Sequence, residues 1–259
     1  MQFDTYFTGT GSGGLVHNPY VVTIHEALNE IYDLEPISQQ LYKVWLNDHP
    51  FDKGEGWAKE PWAQVEMKLD DEQLDLIAEY TDTAVVVVSR TAGEDKDHND
   101  KAGSYYLNKD ELDLLHKARA KFSKLVVLLN VGNTMDLSWN VDVKVDSLLL
   151  VWQGGSETGN AIADILSGEV SPSGHLTDTI AYSLKDYPAY DNFGDKDRNF
   201  YAEDIYVCYI YFETFNKAAV QYPFVYVLSY SDFEFKLNTA EYANCLLYTS
   251  DAADDCCRV

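Results

Sequence analysis

The chain has 259 residues, of which 19 are Lys or Arg and 43 are Asp or Glu, so its formal net charge at pH 7 is −24. Its 46% hydrophobic and 14% aromatic content is enough for a folded core and more than a disordered acidic chain carries. No apolar stretch approaches the roughly 20 residues of a membrane-spanning helix. The acidic excess also argues against nucleic acid or an anionic membrane as the main partner, because both require clustered Lys and Arg.

The first residues, Met1-Gln2-Phe3-Asp4, do not have the basic start and apolar run of a secretory signal. Only one of the four cysteines, Cys208, lies before residue 245, so no disulfide framework is expected. Together these features favour a cytoplasmic protein.

The last fifteen residues differ in character from the rest. Residues 245–255, CLLYTSDAADD, resemble the translation of a sequencing-library adapter. We therefore predict that 245–259 is not native sequence and that 236–244 begins a truncated β element. A genuine small-residue tail is one alternative, and a zinc site at Cys256 and Cys257 is another, although no second ligand pair has the spacing to complete it.

Helical and strand patterns alternate along the first 170 residues. Helical periodicity occurs over residues 24–31, 37–46, 71–80, 109–122 and 158–166. Three runs typical of strands covered on both faces are AVVVVS at 84–89, LVVLLNV at 125–131 and SLLLVW at 147–152. A capping box at Asn108 and Glu111 marks one helix start, and Gly168 marks one helix end.

This alternation predicts an α/β fold. We expect a three-layer sandwich in which a mostly parallel sheet of about six strands lies between helices. From residue 186 an irregular Tyr-rich region follows, and its segments 205–212 and 222–230 have β propensity. Ligand-binding loops in such sheets lie at the carboxyl ends of the strands.

A glycine-rich segment, GTGSGG at 9–14, follows a short predicted strand at 3–7. With Asp33 and Glu35 about twenty residues on, it formally matches the dinucleotide-binding fingerprint, but that motif needs a full strand before it and a helix directly after it. The alternative is a glycine turn whose missing Cβ atoms permit positive φ or the close approach of another segment.

The loop SRTAGEDKDH at 89–98 leaves the carboxyl end of the most hydrophobic predicted strand. By itself it is a solvated charge run. Neither Ser12 nor Ser156 has the spacing of a hydrolase nucleophile elbow. We expect no metal and no cofactor, because no His is spaced with Cys or carboxylates as metal ligands are.

Six motifs in order make the chain similar to glycoside hydrolase family 3, specifically to its α/β sandwich domain. They are GTGSG at 9–13, SRTAGE at 89–94 with GSYYL at 103–107, VVLLNVG at 126–132, residues 154–166 with 172–179, residues 201–214, and residues 222–233. The resemblance assigns residues 1–235 to this domain. The chain is most similar to family members in which the sandwich domain precedes a (β/α)8 barrel.

The resemblance implies a retaining glycosidase acting on β-glucosides or short β-linked oligosaccharides. In this family an Asp on the barrel is the nucleophile and a Glu on the sandwich domain is the general acid/base, and Glu94 matches that Glu. We expect Arg90, Asp97 and His98 to bind the carbohydrate substrate. The implied partner is the missing barrel in cis, so the fragment alone should be inactive. Whether the protein forms a homo-oligomer is left open. β-Xylosidase or N-acetylglucosaminidase activity belongs to the same class.

The sequence departs from the family pattern at several positions. After the Glu the family usually has Gly, an aromatic residue, Asp and Arg, whereas this chain has Asp95, Lys96, Asp97 and His98. We expect Asp95 to raise the pKa of Glu94 by charge repulsion. A non-catalytic carbohydrate-binding or scaffold module with a drifted loop, and a free-standing nucleotide-binding domain, are therefore retained as alternatives.

Further departures lie at Cys208 and Ile210, where the family has Gly-Tyr-Arg, and at Val225 and Val227, where it has Phe-Gly-Tyr-Gly-Leu. Valine does not adopt positive φ cheaply. The changes therefore indicate sequencing error, decay of the gene, or a turn that does not require those angles.

Overall fold

A parallel sheet of three strands, β1 (Thr83–Arg90), β2 (Lys124–Val131) and β3 (Ser147–Leu150), forms the centre of the fold. The structure is a computed structural model that describes residues 3–12, 17–198, 200–228, 230, 242–243 and 246–247. β2 lies in the middle, with Val87 opposite Leu128 and Leu128 opposite Leu149. The three apolar runs are thus parallel strands, as predicted.

Helices cover both faces of this sheet. In chain order they are α1 (Ile24–Ile31), α2 (Pro36–Trp45), α3 (Asp71–Ala78), α4 (Lys109–Lys121), α5 (Asn140–Val143), α6 (Thr158–Ser167) and α7 (Tyr209–Phe215). On one face α3 and α4 pack against Val86 and Leu129, and on the other α1 and α6 pack against Val87 and Leu128. Successive strand residues point to opposite faces, so both faces need apolar side chains, and this explains the unbroken apolar runs.

The α/β sandwich prediction is confirmed, with one difference in strand number. Among the described residues the parallel sheet has three strands instead of about six. A separate two-stranded antiparallel sheet joins β4 (Ile180–Ala181) to β5 (Val220–Tyr222). Residues 229–259 form a second compact unit, in which β6 (Tyr242–Ala243) pairs with β7 (Leu246–Leu247). Most of the predicted segments 236–244 and 245–259 lies outside the described residues.

Two helix ends follow the predicted chemistry. The Asn108 side chain accepts hydrogen bonds from the backbone N–H groups of Asp110 and Glu111, and the Glu111 carboxylate accepts one from the Asn108 N–H, which completes the capping box at α4. Gly168 ends α6 with a φ of 83°. Glycine adopts that left-handed conformation without the cost that a Cβ atom imposes.

Three β predictions are wrong. Residues 205–212 were expected to be β-prone, but Tyr209–Phe215 is helical, and its buried Phe212 packs edge-to-face on Tyr187. Among the described residues of the region predicted at 222–230, only Tyr222, the last residue of β5, is in a strand. Residues 3–7 form no strand, because the Asn130 side chain takes both backbone groups of Tyr6 in place of a neighbouring strand. Tertiary contacts therefore override β propensity at these positions.

Val225 occupies a turn position that favours glycine. The Tyr226 N–H donates to the Pro223 carbonyl at 3.1 Å, which closes a four-residue turn with Val225 third. Its φ is 62°, whereas Val227 is not among the described residues with positive φ. The turn therefore requires a left-handed residue at 225, and a β-branched side chain is strained there.

We expect Val225→Gly to raise the free energy of unfolding by about 1 kcal/mol. Relief of left-handed strain, about 1–2 kcal/mol, exceeds the extra ordering entropy of glycine, about 0.4–1 kcal/mol. The control Val227→Gly should lower the free energy of unfolding by about 0.5–1 kcal/mol or more, because there glycine brings its entropy cost and the contacts of a half-buried side chain are lost. Urea unfolding followed by circular dichroism measures both changes, and equal changes in the two variants would contradict the assignment of strain to position 225.

Candidate active site

The charged loop at 91–98 begins where β1 ends, at the carboxyl edge of the sheet, and it lies against the glycine-rich segment at 9–12. The Thr10 N–H donates to the Ala92 carbonyl at 2.7 Å, and the Glu94 N–H donates to the Thr10 carbonyl at 3.3 Å. Thr10 and Gly93 form an isolated parallel bridge. Two segments more than 80 residues apart in sequence thus form one site.

Glycine allows this contact. A Cβ atom at Gly11 would lie 2.3 Å from the Glu94 Cβ atom, and one at Gly93 would lie 2.2 Å from the Thr10 carbonyl oxygen. Both residues also have positive φ, 94° and 139° respectively. The prediction of a glycine turn that allows close approach is therefore confirmed at Gly11. Gly13 and Gly14 lie outside the described residues, and among the described ones the first helix begins at Ile24, so no helix opens directly after Gly9 and Gly11 as dinucleotide binding requires.

Glu94 is exposed, and Ser12 holds one of its carboxylate oxygens. Oε2 accepts hydrogen bonds from the Ser12 backbone N–H at 2.9 Å and from the Ser12 hydroxyl at 2.8 Å. These two donors, the backbone N–H first, lower the pKa of Glu94. The expected rise in pKa from Asp95 is therefore wrong in this structure. The Asp95 carboxylate accepts a hydrogen bond from the Trp57 indole N–H at 2.8 Å.

Arg90 is completely buried in an ion pair with Glu111. Its Nη1 lies 2.5 Å from Oε1 and its Nη2 lies 2.7 Å from Oε2, and further N–H groups donate to the carbonyls of Ser89 and Ser104. Glu111 also belongs to the capping box of α4. These contacts indicate that Arg90 joins the end of β1 to α4, and its guanidinium has no surface at which to meet a sugar.

His98 and Asp97 differ in exposure. Both His98 ring nitrogens are buried and have no hydrogen-bond partner among the described residues, and the ring packs edge-on against Tyr105. Burial, and to a lesser extent the charge on Arg90, lowers the pKa of His98 to about 4, so the ring is neutral at pH 7. Asp97 is exposed, and its carbonyl accepts a hydrogen bond from the Trp62 indole N–H at 3.1 Å. Of the four predicted site residues, Glu94 and Asp97 are exposed, His98 is half-buried and Arg90 is completely buried.

A groove of about 470 Å³ lies beside the contact between the two segments. Its lining includes Gly11, Thr91, Tyr6, Phe51 and Trp57, so aromatic faces are present in it. Sequence reasoning missed the contributions of Ser12 and of residues 51–62, because neither carries a recognisable spacing. The one available signal was the position of Ser12 inside a glycine run.

Two negative results apply to the described part of the chain. Its His, Cys, Asp and Glu side chains form no group of three or more that could hold a metal ion. None of its helices is both long enough and apolar enough to cross a membrane.

Comparison with known proteins gives consistent results. The family model for the Glycosyl hydrolase family 3 C-terminal domain matches residues 2–209. The chain is 48% identical over 235 residues to a beta-glucosidase of Ruminococcus albus, a match that covers 90% of this chain and 25% of that protein. It is 36% identical over 261 residues to Beta-glucosidase A of Butyrivibrio fibrisolvens, covering 88% of this chain and 30% of that protein.

Solved structures agree with these relatives. A beta-glucosidase from Paenibacillus barengoltzii superposes with a TM-score of 0.86 at 44% identity, covering 94% of this chain and 27% of that one. Beta-glucosidase 3B from Thermotoga neapolitana, in complex with glucose, superposes with a TM-score of 0.79 at 32% identity, covering 92% and 34%. The chain thus spans about a quarter to a third of the length of these proteins.

We expect Ser12→Ala to raise the pKa of Glu94, because the hydroxyl that stabilises the carboxylate is lost while the backbone donor remains. The present contact lowers the folded-state pKa, so it favours folding above the unfolded-state pKa and is lost as the pH falls through the folded value. A carbon-13 NMR titration of the Glu94 carboxyl in this chain measures the change. Ser156→Ala is the control, and an unchanged Glu94 pKa in Ser12→Ala would contradict the assigned contact.

We expect Glu111→Gln to lower the free energy of unfolding by about 3–5 kcal/mol, because it leaves the buried Arg90 without its carboxylate. Asp75→Asn is the matched control, since Asp75 pairs with Lys121 at the surface and its loss should cost less than about 1 kcal/mol. Urea unfolding of the two variants gives both values. Similar losses would show that the Arg90 pair does not anchor the fold.

Proposed function

The chain belongs to glycoside hydrolase family 3, and from this premise we propose that it supplies the general acid/base, Glu94, of a retaining β-glucosidase. The observation that carries the proposal is the exposed Glu94 carboxyl on the loop that follows β1, held against Ser12 beside an aromatic-lined groove. The relatives that the chain matches are named beta-glucosidases. Because it spans only part of their length, hydrolysis belongs to a longer protein that includes a barrel.

The proposed reaction has two steps that use the same carboxyl group. In the first, the protonated Glu94 gives its proton to the glycosidic oxygen while an Asp of the barrel bonds to the anomeric carbon and the leaving alcohol departs. In the second, the Glu94 carboxylate takes a proton from water, the water oxygen bonds to the anomeric carbon, and the Asp is released. Retention in this way needs the two carboxyl groups about 5–5.5 Å apart.

The lowered pKa of Glu94 suits the second step, in which it acts as a base. The first step needs a protonated acid, so the pKa must rise when the site is complete. A covering barrel would raise it by excluding water and by placing the nucleophile carboxylate nearby. We infer that the open domain by itself holds the base form and that closure creates the acid form.

Roles for the other predicted site residues follow from their exposure. Asp97 remains a proposed substrate contact, since its side chain is exposed on the same loop as Glu94. For the buried Arg90, and for His98 with its buried ring nitrogens, we propose a supporting role beneath the loop. The groove offers the faces of Trp57 and Phe51, on which a sugar ring can stack.

Glu94→Ala in the barrel-bearing protein tests this function. Turnover of a β-glucoside with a poor leaving group should fall about 10²–10⁴-fold, the usual contribution of a general acid. An activated aryl glucoside needs no protonation, so it should still glycosylate the enzyme, and azide should restore its turnover with a β-glucosyl azide product. Glu169→Ala is the control, because Glu169 follows the C-terminal end of α6, at the opposite edge of the sheet.

Unchanged hydrolysis in Glu94→Ala would overturn the assignment of Glu94. A wild-type protein that binds glucosides without cleaving them would instead favour the carbohydrate-binding module.

A further inference from the structure

We propose that residues 57–62 form a positioning element for the acid/base loop, with Trp57, Trp62 and the buried Lys96 as its positioning residues. This inference rests on the proposed function of Glu94. Glu94 itself contacts the glycine-rich segment, whereas the three residues that follow it contact residues 57–62. The general acid/base is thus restrained from both sides along the chain.

The contacts occur at three consecutive loop residues. The Trp57 indole N–H donates to the Asp95 carboxylate at 2.8 Å. The Lys96 ammonium donates to the carbonyls of Ala58 and Glu60. Because each loop residue from 95 to 97 has its own contact, the chain after Glu94 cannot move without breaking hydrogen bonds.

The third contact comes from Trp62, whose indole N–H donates to the Asp97 carbonyl at 3.1 Å. Its ring also lies under the Lys96 ammonium, 4.7 Å from nitrogen to ring centroid. A cation over an aromatic face is attracted to it, and more strongly when water is excluded. Trp62 therefore holds two successive residues of the loop.

Lys96 is the most informative residue of this cluster. It is only 5% exposed, although Gly93, Glu94, Asp95 and Asp97 around it are all exposed. Lysine is almost never buried unless its charge is satisfied. Here carbonyl oxygens and an indole face satisfy it, so the side chain fastens an otherwise exposed loop to the rest of the domain.

The backbone on either side of Glu94 explains why such a restraint is needed. Gly93 has a φ of 139° and Asp95 a φ of 59°. Glycine adopts positive φ freely, whereas Asp95, which has a Cβ atom, persists there only where the surroundings hold it. Contacts with residues 57–62 hold the backbone on the Asp95 side of Glu94, and the bridge between Gly93 and Thr10 holds it on the Gly93 side.

The positioning element has anchors of its own. The side-chain amide of Gln64 donates to the Asp52 carbonyl at 3.0 Å and accepts from the Asp52 N–H at 2.9 Å, which closes the base of the segment. The Thr91 N–H donates to the Trp62 carbonyl at 2.9 Å, which ties the segment to the chain leaving β1. Because residues 57–62 are themselves held in place, they can fix the position of the loop that carries Glu94.

Hydrogen exchange of this chain tests the restraint without any activity. Lys96→Met keeps the length of the side chain and removes its charge and donors. We expect the amides of Glu94 and Lys96, which donate to Thr10 and Gly93 respectively, to exchange about 10-fold faster or more in this variant, because local opening becomes easier. Lys121→Met, at a surface ion pair, is the control and should leave both rates within about 2-fold. Unchanged exchange in Lys96→Met would overturn the proposal.

Activity of the barrel-bearing protein tests the catalytic consequence. Lys96→Met should lower kcat about 10-fold or more for a poor leaving group, since an acid displaced by about 1 Å loses much of its effect. It should leave the first step with an activated leaving group nearly unchanged. A purely structural role would lower both rates together. Trp57→Phe, which loses the indole N–H donor and keeps an aromatic ring, provides a second variant, with Trp45→Phe in α2 as its control.

The outcomes separate the inference from the function on which it rests. If Glu94→Ala selectively slows the poor substrate but Lys96→Met and Trp57→Phe both behave as wild type, Glu94 keeps its role and the positioning element is refuted. If Glu94→Ala has no effect, both proposals fall. Circular dichroism melting identifies a variant that has unfolded, and the other variant then decides the result.

Discussion

The buried ion pair between Arg90 and Glu111 is the interaction on which the candidate site depends. It joins the last residue of β1 to the first turn of α4, and the same Glu111 carboxylate satisfies the Asn108 N–H of the helix cap. Removing two charges from water is costly, and only the bidentate geometry and the added carbonyl contacts offset it. What the ion pair contributes is a fixed chain direction: it determines where the chain leaves the sheet after β1, and Glu94 follows Arg90 by four residues.

From that fixed point the loop is placed by polar and close-packed contacts, with little help from the apolar core. Gly9 and Gly11 allow the segment at 9–12 to approach until backbone and carboxylate touch, and Ser12 donates twice to one oxygen of Glu94. This holds an exposed carboxylate in its ionised form. For the proposed acid/base role, a carboxyl group that this domain by itself holds ionised fits a site completed by a second domain, because water exclusion and a second carboxylate both push the pKa upward.

The sequence is informative where local chemistry and global packing coincide. The three strands could be predicted because burial on both faces demands unbroken apolar runs, and α4 could be placed because Asn108 and Glu111 form a local cap. Glu94 itself was found only through resemblance to a family. The burial of Arg90, of Lys96 and of the His98 ring nitrogens could not be foreseen, since a charged loop at a sheet edge is normally solvated. The carbonyls that accept from Arg90 and Lys96 include ones 14 and 38 residues away in sequence.

The secondary structure of the aromatic segments was the second feature that could not be predicted from the sequence. The run at 205–212 has strong β propensity, yet Phe212 is buried by helical packing against Tyr187. Propensity for strands measures fit to a half-covered pleated surface, and no such surface is available to this segment. Only the tertiary arrangement decides between the two structures.

Three positions where the family has glycine show how much departure the fold accepts. Asp95, Cys208 and Val225 have φ values of 59°, 49° and 62°, so the backbone is at positive φ at all three positions although none of them is a glycine. Asp visits this region far more readily than a β-branched residue does, and Trp57 holds its carboxylate. Val225 is β-branched, so positive φ is costly for it, and its side chain cannot accept a hydrogen bond. The departure at the loop that carries Glu94 is therefore compensated by a hydrogen bond, whereas the cost at Val225 falls on the stability of the Tyr-rich region, far along the chain from Glu94.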